Sequence, residues 1–509
     1  MATTAEVEQT TAFALTEKSK LIKSLRRFDM VFFTICAFVG LDTLGTVAKN
    51  GPQGFFWLVL LAVVFVVPYM LLMAEVGSAF TEEGGPYEWT KLAFGRLHAG
   101  IAAILYWVTN PLWVGGSLAF IATDSWTANV FKIGVATPGD YVFKLVFIWI
   151  SIGVAIISLR HGKWIPNFGA ILRFAVLGFF SITVIIYGIK HGVAGFQTSQ
   201  LTPSRAVFFG LVPILLFNYV GFELQNGAAE EMENPQKDVP LSILRSGIAG
   251  VLMYVIPIFC ILLVLPASKV TGIGGFIDAV TLTFHGVYGG AAHPLLIIMT
   301  LGFVGALVTS GAVWMIGSDR IQAVASYDGA FIPFFGVFNR RLGTPVRVNV
   351  LSGVVASVFS IVTIYMLKNH STASAFTVVL DIAISTTLLS YLWIFPAALK
   401  LRYTHPHVTR PFVHPWGMAG IWVSTILVTA WILLGSWVAV FPDTLERVFG
   451  VGYPFKDSWG VTQAKFELLT LATLGVIVAI GLIGYWLGRD VRSQEVTVPI
   501  EAVIPPSPL

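Results

Sequence analysis

The sequence predicts an all-α integral membrane protein with twelve transmembrane helices, and three observations predict it. Hydrophobic residues make up 56% of 509 positions and charged residues only 11%, with a mean hydropathy of +0.80. Soluble domains carry about 25% charged residues, and surface-to-volume scaling leaves a soluble fold of this size a large wet exterior. Twelve apolar runs approach or exceed the roughly 20 residues a helix needs to cross hydrocarbon. Runs one and six are interrupted by glycines around a carboxylate, a pattern a continuous span avoids unless function breaks it. A soluble enzyme is excluded, and so is a porin-type barrel, whose strands alternate over roughly ten residues.

The elements follow in order. Residues 1–27 form a polar tail with five basic residues, Lys18, Lys20, Lys23, Arg26 and Arg27. The first apolar run continues as a full span, so no cleavable signal peptide is expected. Residues 28–189 hold spans 1 to 5, at about 29–48, 54–78, 97–123, 141–159 and 166–189. Residues 205–400 hold spans 6 to 10, at about 205–229, 241–266, 292–317, 347–367 and 373–399. Residues 418–488 hold spans 11 and 12, at 418–440 and 466–488, and residues 489–509 form a second tail, Pro-rich and expected to be disordered from Pro499 onward.

Orientation follows from the loops, because Lys and Arg collect on the cytoplasmic side. With the N-terminus inside, 21 of the 31 basic residues fall inside, which predicts that both tails are cytoplasmic. A net charge of +4 gives no case for nucleic-acid binding. Cys36 and Cys260 lie in apolar runs, which excludes a disulfide framework. No cofactor or metal is called for. His405, His407 and His414 share a loop, but prolines interrupt them.

The broken spans carry the chemistry. Span 1 reads Cys36-Ala-Phe-Val-Gly-Leu-Asp-Thr-Leu-Gly45, with Asp42 between two glycines, and span 6 reads Asn218-Tyr-Val-Gly-Phe-Glu-Leu-Gln-Asn-Gly227, with Glu223. Gly-interrupted segments at matching positions of two halves point to a transporter's midplane site. Free N–H groups at a helix break bind a carboxylate and free carbonyls bind an ammonium. That chemistry suits an amino acid or a small amine. A carboxylate at the bilayer centre costs about 2.5–3.5 kcal/mol on insertion scales, so each acid needs a partner or a proton.

Three further motifs carry a family resemblance. Glu75-Val-Gly-Ser-Ala-Phe-Thr-Glu-Glu-Gly84-Gly85-Pro86-Tyr87 follows span 2. Glu231-x-x-Asn234-Pro235-x-x-Asp238-x-Pro240 follows span 6. Trp314-Met-Ile-Gly-Ser-Asp-Arg-Ile-Gln lies in span 8, with Asp328-Gly329-Ala-Phe-Ile-Pro333 and Gly343-Thr-Pro345 beyond it. Spans 1 to 10 thereby resemble the amino acid–polyamine–organocation permeases. The resemblance implies a leucine-transporter-type five-plus-five inverted repeat with two C-terminal helices, alternating access, and proton-coupled transport or exchange at the plasma membrane. It implies backbone carbonyls of Val220 and Gly221 on the substrate amine, gating aromatics at Phe217 and Trp314, and a lining position at Asn110. Phe38 and Gly40 fall in the span 1 segment that faces the substrate. Glu223 matches a proton-coupling glutamate, with a structural acid as the plainer alternative. Arg173 falls where relatives carry a span 5 lysine in place of a sodium ion.

Two departures stand out. The Gly-Ser/Thr-Gly triplet that takes a substrate carboxylate is missing from span 1, where Ala37-Phe38-Val39-Gly40 precede Asp42. A glutamate/γ-aminobutyrate antiporter branch shares that feature. Arginine also keeps its proton, so Arg173 is a permanent charge. Asp42 is either an amine ligand or the ion-pair partner of Arg173. Asp381 in span 10 is expected to be structurally paired, and Glu230, Glu231 and Glu233 to be solvated or ion-paired. The leading function is a permease for an amino acid or amine, with a polyamine permease or a non-transporting sensor of the same fold as alternatives. The substrate is a small molecule within a lipid bilayer; protons are candidate co-substrates, and the oligomeric state stays open.

Overall fold

The computed structural model describes residues 7–157, 164–193, 196, 201–271, 274–367, 372–452, 455 and 461–499. Arg160, Lys163 and the tail from residue 500 onward lie outside these residues. The chain opens with β1 (Val7–Thr11) and α1 (Ala12–Lys18). Then come α2 (Arg27–Phe38), α3 (Leu44–Ala48), α4 (Gly51–Ala79), α5 (Pro86–Phe94) and α6 (Arg96–Asn129). They are followed by α7 (Pro138–Ile157), α8 (Trp164–His191), α9 (Arg205–Asn218) and α10 (Pro235–Val264). The rest are α11 (Gly275–Tyr288), α12 (Ala292–Tyr327), α13 (Val346–Leu367), α14 (Thr372–Thr404), α15 (Gly417–Val440), α16 (Thr444–Val448), α17 (Gln463–Leu487), α18 (Arg489–Arg492) and β2 (Glu495–Pro499). Among the described residues ten helical stretches are long and apolar enough to cross a membrane.

The first and sixth predicted spans are each split. The first runs as α2, an unwound stretch, and α3. It starts where the Asp29 carboxylate accepts the Arg26 backbone N–H at 3.0 Å, satisfying one orphan donor of the helix. It ends at Val39, which leaves helical geometry with ψ of 87°. The sixth runs as α9, a break at Tyr219–Phe222, and a 3₁₀ turn over Leu224–Glu231. Gly221 sits at φ 121°, a conformation L side chains rarely adopt. A Cβ there would also lie 2.9 Å from the Trp314 ring.

Burial follows helical periodicity. On α8, Arg173, Val176, Phe180 and Thr183 face inward while Ile182, Ile185 and Ile189 are exposed, a lipid-facing stripe once the chain is in a bilayer. The most buried span is α6, whose apolar window is wholly inside the protein, while the window of α17 is mostly outside. Helix α2 packs on α10 and α8, α12 on α6, α7 and α8, and α14 lies between α6 and α15. Two wide π-turns interrupt long helices, Ala62–Val66 in α4 and Val114–Leu118 in α6; such turns recur at functional sites.

Several elements were not foreseen, among them the short helices α1, α16 and α18. Helix α5 follows the Gly84-Gly85-Pro86 turn, and α11 precedes α12. The two tail segments also pair: β1 runs antiparallel to β2, Val7 opposite Pro499 and Thr11 opposite Glu495. The two tails therefore meet on one face of the helical bundle.

Candidate functional site

The two breaks and the middle of α6 converge on a set of aromatic rings. Trp113 contacts Trp314 with ring centroids 6.3 Å apart and Phe217 at 6.0 Å, and Tyr106 contacts Trp314 at 6.1 Å. Asp42 closes one end of this set. Its Oδ2 accepts from Trp113 Nε1 and Ser117 Oγ, both at 2.7 Å, while Oδ1 is buried with no hydrogen-bond partner among the described residues. Ser117 lies in the π-turn of α6.

Glu223 closes the other end. Tyr106 Oη donates to its Oε1 at 2.6 Å and Tyr391 Oη at 2.5 Å, and Tyr69 Oη donates to Oε2. Tyr69 Oη in turn accepts the Gly221 N–H at 3.0 Å and the Phe222 N–H at 3.3 Å, tying the break to α4. Three phenol donors satisfy a carboxylate that burial would otherwise make expensive. Contact runs from Asp42 through Trp113, Trp314 and Tyr106 to Glu223, so one set of aromatic rings, an aromatic box, links the two acids.

Arg173 occupies a separate place, behind the span 1 break. It is fully buried. Its Nε donates to Val39 O at 3.1 Å, Nη1 to Gly169 O at 2.7 Å and Thr309 Oγ1 at 3.1 Å, and Nη2 to Ala306 O at 2.8 Å and to Ser310 Oγ. This corrects the ion pair with Asp42 that the sequence left open. The Val39 carbonyl turns toward α8 and α12, whereas Asp42 turns toward α6, so the break separates the two charges. Two of the five acceptors, Thr309 Oγ1 and Ser310 Oγ, are hydroxyl oxygens of α12.

The other expected residues fall as follows. Gly40 is at the break, but its N–H donates to Tyr254 Oη at 2.8 Å. Phe38 is packed on Phe222, with centroids at 4.5 Å, and on Tyr219 at 5.9 Å, which makes it a wall of the site. Asn110 is buried and its Nδ2 turns back to Tyr106 O at 3.3 Å. The Gly221 carbonyl accepts the Leu224 N–H at 3.2 Å, and Val220 is buried beside it.

Asp381 is a second correction. It is buried, and among the described residues its Oδ2 has no hydrogen-bond partner, where the sequence leads one to expect a structural pairing. Glu230, Glu231 and Glu233 are ion-paired, with Lys18, Arg320 and Arg26. The sequence missed Tyr69, Tyr106, Trp113, Ser117 and Tyr391. They come from three helices at no fixed spacing; only Tyr106 and Trp113, which flank Asn110, stood near a noted feature.

Comparison with known proteins fits this geometry. A family model described as amino acid permease matches residues 25–452. The chain is 30% identical over 388 residues to the probable agmatine/putrescine antiporter AguD of Lactococcus lactis, covering 76% of this chain and 81% of that protein. It is 29% identical over 407 residues to an uncharacterized transporter of Legionella pneumophila, covering 78% of this chain and 84% of that protein. It is 25% identical over 236 residues to the inner membrane transporter YjeM of Salmonella typhimurium, covering 41% and 47%. The chain belongs to the amino acid permease family and is a multi-pass membrane transporter, not an enzyme.

Proposed function

We propose that this permease exchanges small cationic amines, diamines above all, across the plasma membrane by alternating access. The observation that carries the reading is the pair of carboxylates, Asp42 and Glu223, linked by one aromatic box. An α-amino acid needs donors for its carboxylate. The span 1 break offers few, since the Gly40 N–H is already bonded to Tyr254, and it presents the unpartnered Oδ1 of Asp42 instead. An ammonium or guanidinium supplies the donors that oxygen lacks, and the Trp and Tyr faces favour a cation between them. The agmatine/putrescine antiporter among the relatives supports both the substrate class and exchange as the mode.

In this reading Phe217 and Trp314 close the box, with Asn110, Val220 and Gly221 lining it. Glu223 holds the second cation and takes up a proton when that cation leaves, its charge shared by Tyr69, Tyr106 and Tyr391. Arg173 is a fixed cation in place of a sodium ion. The paired breaks support a five-plus-five inverted repeat followed by two helices, twelve spans in all. The concentration of Lys and Arg supports cytoplasmic tails.

Exchange of labelled putrescine and agmatine in proteoliposomes tests the proposal, with arginine and neutral amino acids as competitors at two pH values. Diamines should be exchanged and should outcompete neutral amino acids. Asp42→Asn should raise KM for diamines about tenfold or more, since a hydrogen bond to a charged group contributes roughly 1.5–3 kcal/mol and 1.4 kcal/mol is tenfold. Exchange of neutral amino acids only, or an unchanged diamine KM in Asp42→Asn, would overturn it.

A further inference from the structure

The tails of the chain are tied to the parts of the fold that must separate for the box to open on their side. On that side the box is closed by α2, where Trp314 Nε1 donates to Ala37 O at 2.8 Å. Any opening there has to carry α2 away from α12. The residues before α2 are bound to the span 6 turn, with the Ser24 and Leu25 N–H groups on Glu231 O at 2.8 and 2.9 Å. Further upstream, the N-terminal arm crosses to α12 and the loop beyond it. Thr11 Oγ1 donates to Tyr327 O at 2.8 Å, and the Glu17 carboxylate accepts the Phe338 N–H at 2.8 Å.

The C-terminal segment, α18 and β2 together, binds the same place. Arg492 donates to Gly329 O and, at 2.6 Å, to Tyr485 O. Arg96 pairs with Asp328 at 2.8 Å and with Glu495 of β2 at 2.5 Å. A Cβ on Gly329 would lie 2.7 Å from Arg492 Cγ, so the C-terminal segment rests directly on that loop. The β1–β2 ladder joins the arm to this anchored strand.

We propose that the β1–β2 pair is a clasp that fastens the start of span 1 to the end of α12, and that its release governs opening of the box toward the tails. A two-stranded sheet alone is marginally stable in water, so the clasp opens readily, as segments at the low end of local stability do. It holds a position without locking it. The proposal rests on the alternating-access reading above, but its test does not require transport.

Cys36 supplies a native reporter. It is fully buried on α2, with Sγ 3.5 Å from the Thr309 carbonyl of α12, and it becomes reachable when the two helices part. In a Cys260→Ser background, maleimide labelling of Cys36 is followed by peptide-resolved mass spectrometry. Deletion of residues 493–509 should speed labelling about tenfold, the equilibrium shift expected from one or two net hydrogen bonds. Thr10 and Val496 are register partners, so Thr10→Cys with Val496→Cys, oxidised to a disulfide, should slow labelling by a similar factor.

Comparison of the oxidised pair with the same pair left reduced uses one polypeptide, and so decides the matter even if the truncated chain misfolds. Equal Cys36 labelling in the oxidised and reduced pair overturns the clasp. Diamine exchange by the unmodified protein in the same proteoliposomes reads the transporter proposal separately.

Discussion

Replacement of Arg173 isolates the contribution of a buried charge that has no acidic partner among the described residues. Its five hydrogen bonds reach three segments: the span 1 break, its own helix α8, and α12. Gly169 and Ala306 lie inside helices and Val39 does not, so the Val39 carbonyl depends most on the guanidinium. Arg173→Met fills similar volume and strands that carbonyl, at a cost of about 1–3 kcal/mol. Tenfold corresponds to 1.4 kcal/mol, so the folded-to-unfolded ratio should fall roughly 5- to 150-fold. Arg173→Lys keeps the charge but has three donors and no fork, and should fall between the two. Arg173→Ala leaves the oxygens of Val39, Ala306, Thr309 and Ser310 around a vacated cation site, and oxygen is the ligand hard cations take. Sodium should therefore raise the melting temperature of Arg173→Ala and leave the wild type unaffected. Thermal unfolding in detergent, with and without sodium, is the assay, and diamine exchange is the second readout. An Arg173→Met protein that melts and exchanges like the wild type would refute the view that this charge holds the break in place.

Two further outcomes follow from charges elsewhere. Burial works against the ionised form of Asp328, but the charges of Lys91 and Arg96 and the Tyr87 hydroxyl outweigh it, holding the carboxyl below its ordinary range; its stabilising contribution is therefore complete above the unfolded pKa of about 3.9 and is lost as pH falls through the lower folded value. Asp328→Asn should melt lower than wild type at neutral pH and show a flatter decline below about pH 4, as followed by thermal melting across pH; parallel curves would count against it. Asp381 has a buried oxygen without a partner, so Asp381→Asn should leave the melting temperature unchanged or raise it, and a marked drop would mean that the charge is paired in the membrane.

The spans were legible because a bilayer demands long apolar runs, and most predicted boundaries fall within a few residues of the helices described. The two breaks were legible because glycine and a carboxylate together have no place in a plain span. The partners of those carboxylates were not. Pairing of Asp42 with Arg173 was reasonable from charge alone, yet the direction of one carbonyl at Val39 decides the matter, and no one-dimensional pattern encodes that direction. Tyr69, Tyr106 and Tyr391 meet around Glu223 from three helices far apart in sequence. The β1–β2 ladder joins segments near the two ends of the chain, and each reads alone as an ordinary polar tail.

The two acids of the box also bear on how the carrier returns. A loaded box, holding two cations against two carboxylates, is close to neutral. An empty one would have to turn with Asp42 and Glu223 held by neutral donors alone, Trp113 and Ser117 on the first and three tyrosines on the second, and a charge at the bilayer centre costs about 2.5–3.5 kcal/mol on insertion scales. Empty return is then slow unless protons take the place of the cargo. In the diamine reading, the same fixed charges that draw a diamine in would make the journey back depend on a second diamine or on protons, so exchange would emerge from electrostatics. A swap of one dication for another moves no net charge, so the membrane voltage, worth about 2.3 kcal/mol per charge per 100 mV, would neither drive nor oppose it.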